Sequence, residues 1–543
     1  MKLEKNPATG HEVFNLAASV PSAALKWGDR VALHHVEGNT AVTYKEVDDM
    51  SSRLGNGLKA LGVEAENRVA VLLDDCPEWA YILLGTLKIG AVLTPLNTLL
   101  TEKDYVFFLA DSRAKVLFTG TALWDKIKDL IDALPALKRV VVCGGAAVTE
   151  EKGRLTTWDA FMRDTCGKLE VAPTFSNDVA LFAYTSGSTG RPRAIMHTHR
   201  NIHIGASYFK EVYHVEEGHI QFHIPKLFFL TSLSGLISAF EHGSSMVLLS
   251  GRPAPETVLE VIAKYRPTFL DGPPTILGRM VIAAENAPQL GDMRSVRYIF
   301  CSGEALSPEL FNRFQETFGK TLYNNWGAQE LAAAPLSWQF GEEVPAGKIG
   351  SAGKSPCMGV IVKIVDEHGK EVGDGLTGEI MLKAKSQFIS YWHEPEDAAV
   401  KIFEGWYKPG DTFMRDADGY YWYRGRLDDM VKVGGRPVFP VEVEHTVAGH
   451  PAVLEAAVIP VKNDLGLVEI HAFAVLKQGH PPSAELAVQI QNHVKSVLAP
   501  YKRPHRVEFV SELPRTATGK IQRFRLRDLL KGKPTNREQG GGK

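Results

Sequence analysis

From about residue 44 to residue 268 the chain repeats one pattern, an amphipathic helical segment followed by a short β-branched, apolar run. That repetition is the strongest constraint on the fold. Short apolar strands between helices bury both faces only in a sheet covered by helices, which demands an α/β architecture with ligand sites on loops at strand carboxyl ends. One helix is predicted over 257–265, stopped by Pro267, with a strand at 268–270. The next unit is better marked. Residues 297–300 read as a buried strand, then Ser307 caps a helix with Pro308 in its first turn. Leu310, Phe311, Phe314 and Phe318 form its apolar face and Gly319 ends it.

The texture changes after Ile380. Residues 407–423 alternate polar and aromatic side chains around Asp416-Ala417-Asp418-Gly419, a hairpin turn sequence. Arg424 to Asp429 is too polar to be core, so the domain boundary is placed there: a large, multi-lobed N-terminal α/β domain over 1–427, and a small mobile α+β domain over 428–532. A helix near 440–448, a strand near 454–461 and a helix near 484–498 would build the latter. The tail, 533–543, is rich in Gly and charge and is expected to be disordered.

Charge excludes some partners. With 61 Lys and Arg against 63 Asp and Glu, nothing favours nucleic acid or an anionic membrane. The 5 cysteines are scattered and never in a C-x-x-C pair, which fits a reducing compartment. No secretory signal opens the chain, and the longest uncharged apolar stretch, 227–240, falls short of the roughly 20 residues that span a bilayer. The expectation is a soluble, cytoplasmic protein.

The predicted strand 179–184 runs into Thr185-Ser186-Gly187-Ser188-Thr189-Gly190-Arg191-Pro192-Arg193. Glycines let backbone amides approach a ligand, hydroxyls add donors, and arginines add fixed positive charge: a cradle for a polyphosphate. The Walker pattern is absent, and no G-x-S-x-G elbow encloses Ser186 or Ser188, so neither a P-loop NTPase nor a serine hydrolase is indicated. Alone, the stretch reads equally well as a flexible surface loop.

Further stretches remove that ambiguity. They are Ser302-Gly303-Glu304, Asn325-Trp326-Gly327-Ala328-Gln329-Glu330, Tyr407-Lys408-Pro409-Gly410-Asp411, Arg426…Asp429…Lys432…Gly435, and Pro514 to Lys520. In content and order they resemble the adenylate-forming superfamily of acyl-CoA synthetases, luciferases and adenylation domains, over roughly residues 30–530. Lys226-Leu227-Phe228-Phe229, Ser302 to Leu306 and Thr516 to Arg523 are most similar to benzoate-CoA ligases.

The resemblance implies a fold, a reaction and a set of roles. A carboxylate attacks the α-phosphorus of ATP, giving an acyl-adenylate and pyrophosphate; the thiol of coenzyme A then displaces AMP. Both first-step reactants are anionic, so catalysis is charge neutralisation and positioning. Thr185, Ser186, Gly187, Ser188, Thr189, Gly190 and Arg193 would hold phosphates. Ser302, Gly303, Glu304, Asn325, Trp326, Gly327 and Gln329 would line the nucleotide site, with Trp326 facing adenine, and Asp411 and Arg426 would bind ribose. Glu330 would coordinate Mg2+. Lys520 would bridge the carboxylate and the α-phosphate, while Lys432 would serve the opposite face of the small domain, with Gly434 and Gly435 beside coenzyme A. Asp428 would be the hinge. Two residues depart from the family: Arg193 stands where most members have Lys, and Gln329 where the usual residue is Thr.

For the acid, Lys226, Phe228, Phe229, Leu230 and Leu233 are expected to wall an apolar pocket from a loop. The opposite wall, Ala332, Ala333 and Ala334, leaves room for a substituted benzoate, a phenylpropanoid or a cyclic acid. His197, His199 and His203 invite a metal, yet their spacing follows the phosphate loop in metal-free relatives; His223 is either a packed core residue or a pocket neighbour. The favoured function is an ATP-dependent aryl-CoA ligase, and the alternatives are a medium-chain fatty acyl-CoA synthetase, an amino-acid adenylation domain and a catalytically silent nucleotide-binding protein. Against the amino-acid domain stand the absence of an acid between Lys226 and Ser232 and the few residues left after Lys520. Members of the superfamily are often homodimers.

Overall fold

The computed structural model describes residues 4–144, 154–185, 192–251, 254–354, 357–433, 436–463, 467–515 and 521–531. The chain divides into two compact units: Met1–Leu306 with Leu310–Lys363 and Met381–Pro409, and Ser307–Glu309 with Ile364–Ile380 and Gly410–Lys543.

Two sheets organise the first unit. An 8-stranded sheet runs in the order Ser390–Tyr391, Arg193–Thr198, Val179–Thr185, Val92–Pro95, Arg68–Leu72, Val116–Gly120, Arg139–Cys143, Leu155–Thr157. A 7-stranded sheet runs Tyr323–Asn324, Tyr298–Cys301, Phe269–Asp271, Ile220–His223, Ser245–Leu248, Val31–His35, Thr40–Thr43. Pairing in the second is parallel except for the Val31–His35 and Thr40–Thr43 hairpin. The strands are apolar on both faces, as in Val69-Ala70-Val71-Leu72, because helices cover both sides. The α/β class expected from the repeated units is the class observed.

The boundaries shift slightly. The helix predicted over 257–265 spans Pro255–Tyr265 and ends because Arg266 turns left-handed at φ 52°, one residue before Pro267. The following strands are Phe269–Asp271 and Tyr298–Cys301, each one residue later than predicted; Thr268 sits at the strand's edge, its hydroxyl and its main chain both bonded to Ile220. The helix expected to start after Ser307 spans Pro308–Phe318, with Phe311 and Phe314 buried.

In the second unit, Asp411–Arg415 and Tyr421–Arg426 form the expected hairpin, closed by Gly419 at φ 88°. The segment expected to be linker from residue 424 is strand as far as Arg426, because Arg426 pairs with Asp411 across the ladder; only Leu427–Asp429 turns. Beyond it, Val453–Lys462, Val468–Leu476 and Arg506–Phe509 make a 3-stranded sheet packed by helices Pro440–Ala448 and Ala484–Val497. The helix Arg523–Lys531 is anchored by the Arg523 guanidinium, 2.8 Å from the buried Glu444 carboxylate. No helix among the described residues is long and apolar enough to cross a membrane.

Candidate active site

The candidate residues of the first unit gather where strands end. Val179–Thr185 and Arg193–Thr198 are antiparallel neighbours with Thr185 opposite Arg193, so the phosphate-loop sequence is the connection between them. Ser186, Gly187, Ser188, Thr189 and Gly190 lie outside the described residues. Arg193 is the first residue of its strand. Its Nε is 2.8 Å from Glu394 Oε2, its Nη2 pairs with the Asp397 carboxylate, and its guanidinium lies 5.5 Å from the centre of the Tyr391 ring.

Glu330 comes from a tight reversal. Strand Trp326–Ala328 passes through a 3-10 turn, Gln329–Leu331, and returns as Ala333–Leu336. Ala332 closes the reversal at φ 52°, and a Cβ on Gly327 would lie 2.4 Å from the Ala333 carbonyl, so only glycine fits there. The Glu330 carbonyl accepts from Phe388 N at 2.7 Å, and its Oε1 accepts from the Tyr391 hydroxyl at 2.9 Å. The Gln329 carbonyl accepts from His197 Nε2 at 2.8 Å.

Among the residues expected to seat the nucleotide, Ser302 to Glu304 leave the end of strand Tyr298–Cys301, with Gly303 at φ 84°. Glu304 Oε2 accepts from Thr275 N at 3.1 Å, which caps helix Pro274–Asn286. Asn325 is buried beside the same strand end, its N donating to the Cys301 carbonyl at 2.8 Å. Trp326 is half-buried.

The segment expected to wall the acid follows strand Ile220–His223. Lys226 is buried and donates to the Leu249 carbonyl; the neighbouring Asp75 accepts from Leu227 N at 2.9 Å. Burial pushes the Asp75 carboxyl up to about 7, against the pull of the Lys226 charge. The Phe228 and Phe229 rings are half-buried, with centroids 4.7 Å apart. Leu230 and Leu233 do not lie on a loop as expected: they belong to helix Leu230–His242 and are buried, since the apolar run after Lys226 is long enough to propagate a helix. Of the alanines expected to form the opposite wall, Ala332 and Ala334 are buried and Ala333 is half-buried. A Cβ on Gly205 would come within 2.2 Å of the Ala332 carbonyl, so helix His199–Glu211 fills the space beside Ala332.

In the second unit, Arg426 Nη1 donates to Asp411 Oδ1 at 2.9 Å, and Asp411 is 6% exposed. Lys432 is exposed on Val431–Val433, which pairs with Arg436–Val438; Gly434, Gly435 and Lys520 lie outside the described residues. Asp428 is exposed in the Leu427–Asp429 turn.

The histidines have separate tasks. His197 reaches Gln329, His199 Nδ1 accepts from Leu16 N, and His203 pairs with Glu241; no cluster of three metal-ligating side chains occurs among the described residues. His223 is a core residue, its Nδ1 3.1 Å from Asp271 and its Nε2 3.2 Å from Gln221. Sequence reasoning passed over Asp75, Tyr391, Glu394 and Asp397. Glu394-Pro395-Glu396-Asp397 enters helix Pro395–Lys401, and no local signal in it points to Arg193.

Residues 20–392 match the AMP-binding enzyme family, and residues 442–520 its C-terminal domain. The chain is 36% identical over 520 residues to a benzoate–CoA ligase of Thauera aromatica, covering 95% of this chain and 96% of that one. It is 36% identical over 513 residues to a 3-hydroxybenzoate–CoA ligase of Aromatoleum sp. (strain CIB), covering 94% and 95%. Its fold is similar to that of the anthranilate CoA ligase AuaEII solved with anthranoyl-AMP, at a TM-score of 0.88, 34% identity, and 95% and 97% coverage. A family model that covers residues 20–392, together with relatives aligned along nearly the whole chain, shows that the chain belongs to the AMP-binding enzyme family.

Proposed function

We propose that the protein is an ATP-dependent aryl-CoA ligase that activates a benzoate-like acid, with or without a ring substituent, and passes it to coenzyme A. The observation that carries this reading is the alignment, across nearly the whole chain, with ligases named for benzoate and 3-hydroxybenzoate. The half-buried Phe228 and Phe229 rings beside a buried Lys226 support an apolar, aromatic guest.

The carboxylate oxygen attacks the α-phosphorus and pyrophosphate leaves. Lys520 carries the positive charge that offsets the anion building between them. Residues 185–190 and Arg193 hold the leaving phosphates, with Gln329 beside the α-phosphate. Ser302 to Glu304, Asn325, Trp326 and Gly327 seat the adenosine, and Asp411 with Arg426 holds the ribose hydroxyls, the carboxylate accepting and the guanidinium donating. A magnesium ion suits Glu330: it presents a hard carboxylate oxygen, and Oε2 receives no hydrogen bond from a described residue. When bound, the ion would neutralise phosphate charge. In the second step the small domain, 428–532, turns about Asp428, Lys432 and Gly434-Gly435 come to the thiol's side, and the thiolate displaces AMP from the acyl carbon.

The reading includes cytoplasmic location, supported by the free cysteines, and the homodimer common in the superfamily, which light scattering would test. The decisive assay measures thioester formation and pyrophosphate release with benzoate, 4-methylbenzoate, hydroxybenzoates, aminobenzoates, cinnamates, cyclohexanecarboxylate and medium-chain fatty acids. An aromatic acid should give the highest kcat/KM; a fatty acid in first place would overturn the proposal.

A further inference from the structure

The segment following Phe388 grips the first unit's candidate charges from one side. Phe388 N holds the Glu330 carbonyl, and three residues later the Tyr391 hydroxyl donates to Glu330 Oε1 at 2.9 Å. Main chain and side chain of one acid are therefore fixed by one short stretch. Tyr391 is itself held firmly. It is 3% exposed, its strand residue pairs with Ile195, and its ring packs 4.8 Å from Phe388. On another side of the ring lies Arg193, whose guanidinium is occupied by Glu394 and Asp397.

This arrangement answers a problem that the chemistry creates. A polyphosphate site with a metal needs a free carboxylate and a free cation close together, and left alone the two would neutralise each other in a salt bridge. Here Glu394 and Asp397 already engage the cation, and the phenol lies against it through its ring while its hydroxyl donates to the anion.

We infer that Tyr391 is a positioning residue for Glu330: it occupies Oε1 and presents Oε2 in one direction. The inference rests on the reading of Glu330 as the residue that holds Mg2+. Tyr391→Phe removes one hydroxyl and leaves the ring in place, so Arg193 keeps its stacking partner.

The test measures Mn2+ binding by electron paramagnetic resonance in the presence of α,β-methylene ATP, a probe that reports on the site without turnover. Tyr391→Phe should weaken Mn2+ binding about tenfold, on the scale of one hydrogen bond to a charged group. Glu330→Gln should weaken it more, and the double variant no further than Glu330→Gln alone. In pyrophosphate release, Tyr391→Phe should raise the Mg2+ midpoint with the KM for the acid unchanged, and excess Mg2+ should restore kcat. If Tyr391→Phe does not fold, Glu330→Asp withdraws the carboxylate from the hydroxyl and must weaken Mn2+ binding as well. Should Glu330→Gln weaken Mn2+ binding while Tyr391→Phe leaves it at the unmodified value, the positioning role is overturned and the metal reading survives. Additive losses in the double variant would overturn it too, since a merely structural tyrosine would act independently of Glu330. If Glu330→Gln binds Mn2+ normally, the metal reading falls and the inference with it.

Discussion

A carboxylate and a polyphosphate repel one another, so the first step depends on a cation placed between them. Lys520→Ala should therefore lower adenylate formation by roughly 10²–10³ while sparing thioester formation from pre-made acyl-AMP. Assaying the two half-reactions separately checks this, and an equal fall in both would refute the division of labour. A second residue-scale prediction concerns pH. His197 and His199 are fully buried, and burial depresses both to about 4 from the ordinary 6.5. The unfolded chain takes up their protons first as pH falls. Their stabilisation is thus complete above pH 6.5 and is lost as pH falls toward 4, at about 3 kcal/mol each. His199→Asn preserves an acceptor for Leu16 N and cannot ionise, so its melting temperature should fall less between pH 7 and pH 4.5. An unchanged slope would remove His199 from the explanation.

Elements meet at this site through small residues. Helix His199–Glu211 approaches the Ala332 carbonyl so closely that Gly205 has no room for a side chain. Its φ is ordinary, so Gly205→Ala acts through overpacking alone and should cost about 1–3 kcal/mol. The same displacement should reach the Ala332 side of the acyl pocket, changing the benzoate to 4-methylbenzoate ratio in kcat/KM. A variant with unaltered melting temperature and unaltered ratio would show that the helix and the reversal yield to each other freely. The reversal itself was poorly legible beforehand. Leu331-Ala332-Ala333-Ala334 reads as open space by composition, and only pairing with Trp326–Ala328 makes Ala333–Leu336 a strand.

At the scale of the whole molecule, the proposed catalytic cycle needs the small domain to turn between half-reactions. Asp428 lies in an exposed 3-10 turn whose φ proline can adopt, so Asp428→Pro should fold and hold that turn rigid. Adenylation should survive and the thioester step should fail. Normal rates in both would move the pivot to another residue. The contact units place the chain from Gly410 onward, including the whole Asp411–Arg426 hairpin, in the second unit. A hinge within that unit is therefore a specific claim, which cross-linking across residue 428 during turnover would test.

Local physics carries much of this protein. Helix Pro440–Ala448 lies where its residues predicted, strand Val453–Lys462 and helix Ala484–Val497 lie within one residue of their predicted ends, and Gly419 turns the expected hairpin. Cap residues, apolar periodicity and turn glycines act over a few residues and can be read in a line of sequence. Ordered motifs identified the family for a similar reason, because each is a short loop with its own chemistry. What the tertiary structure alone decided is which loops face each other. Tyr391 lies 61 residues from Glu330, and Glu394 and Asp397 lie some two hundred residues from Arg193. Strand order in the 8-stranded sheet brings Ser390–Tyr391 alongside Arg193–Thr198. A hydrogen bond depends on distance in space, and the sheet, not the spacing along the chain, sets that distance.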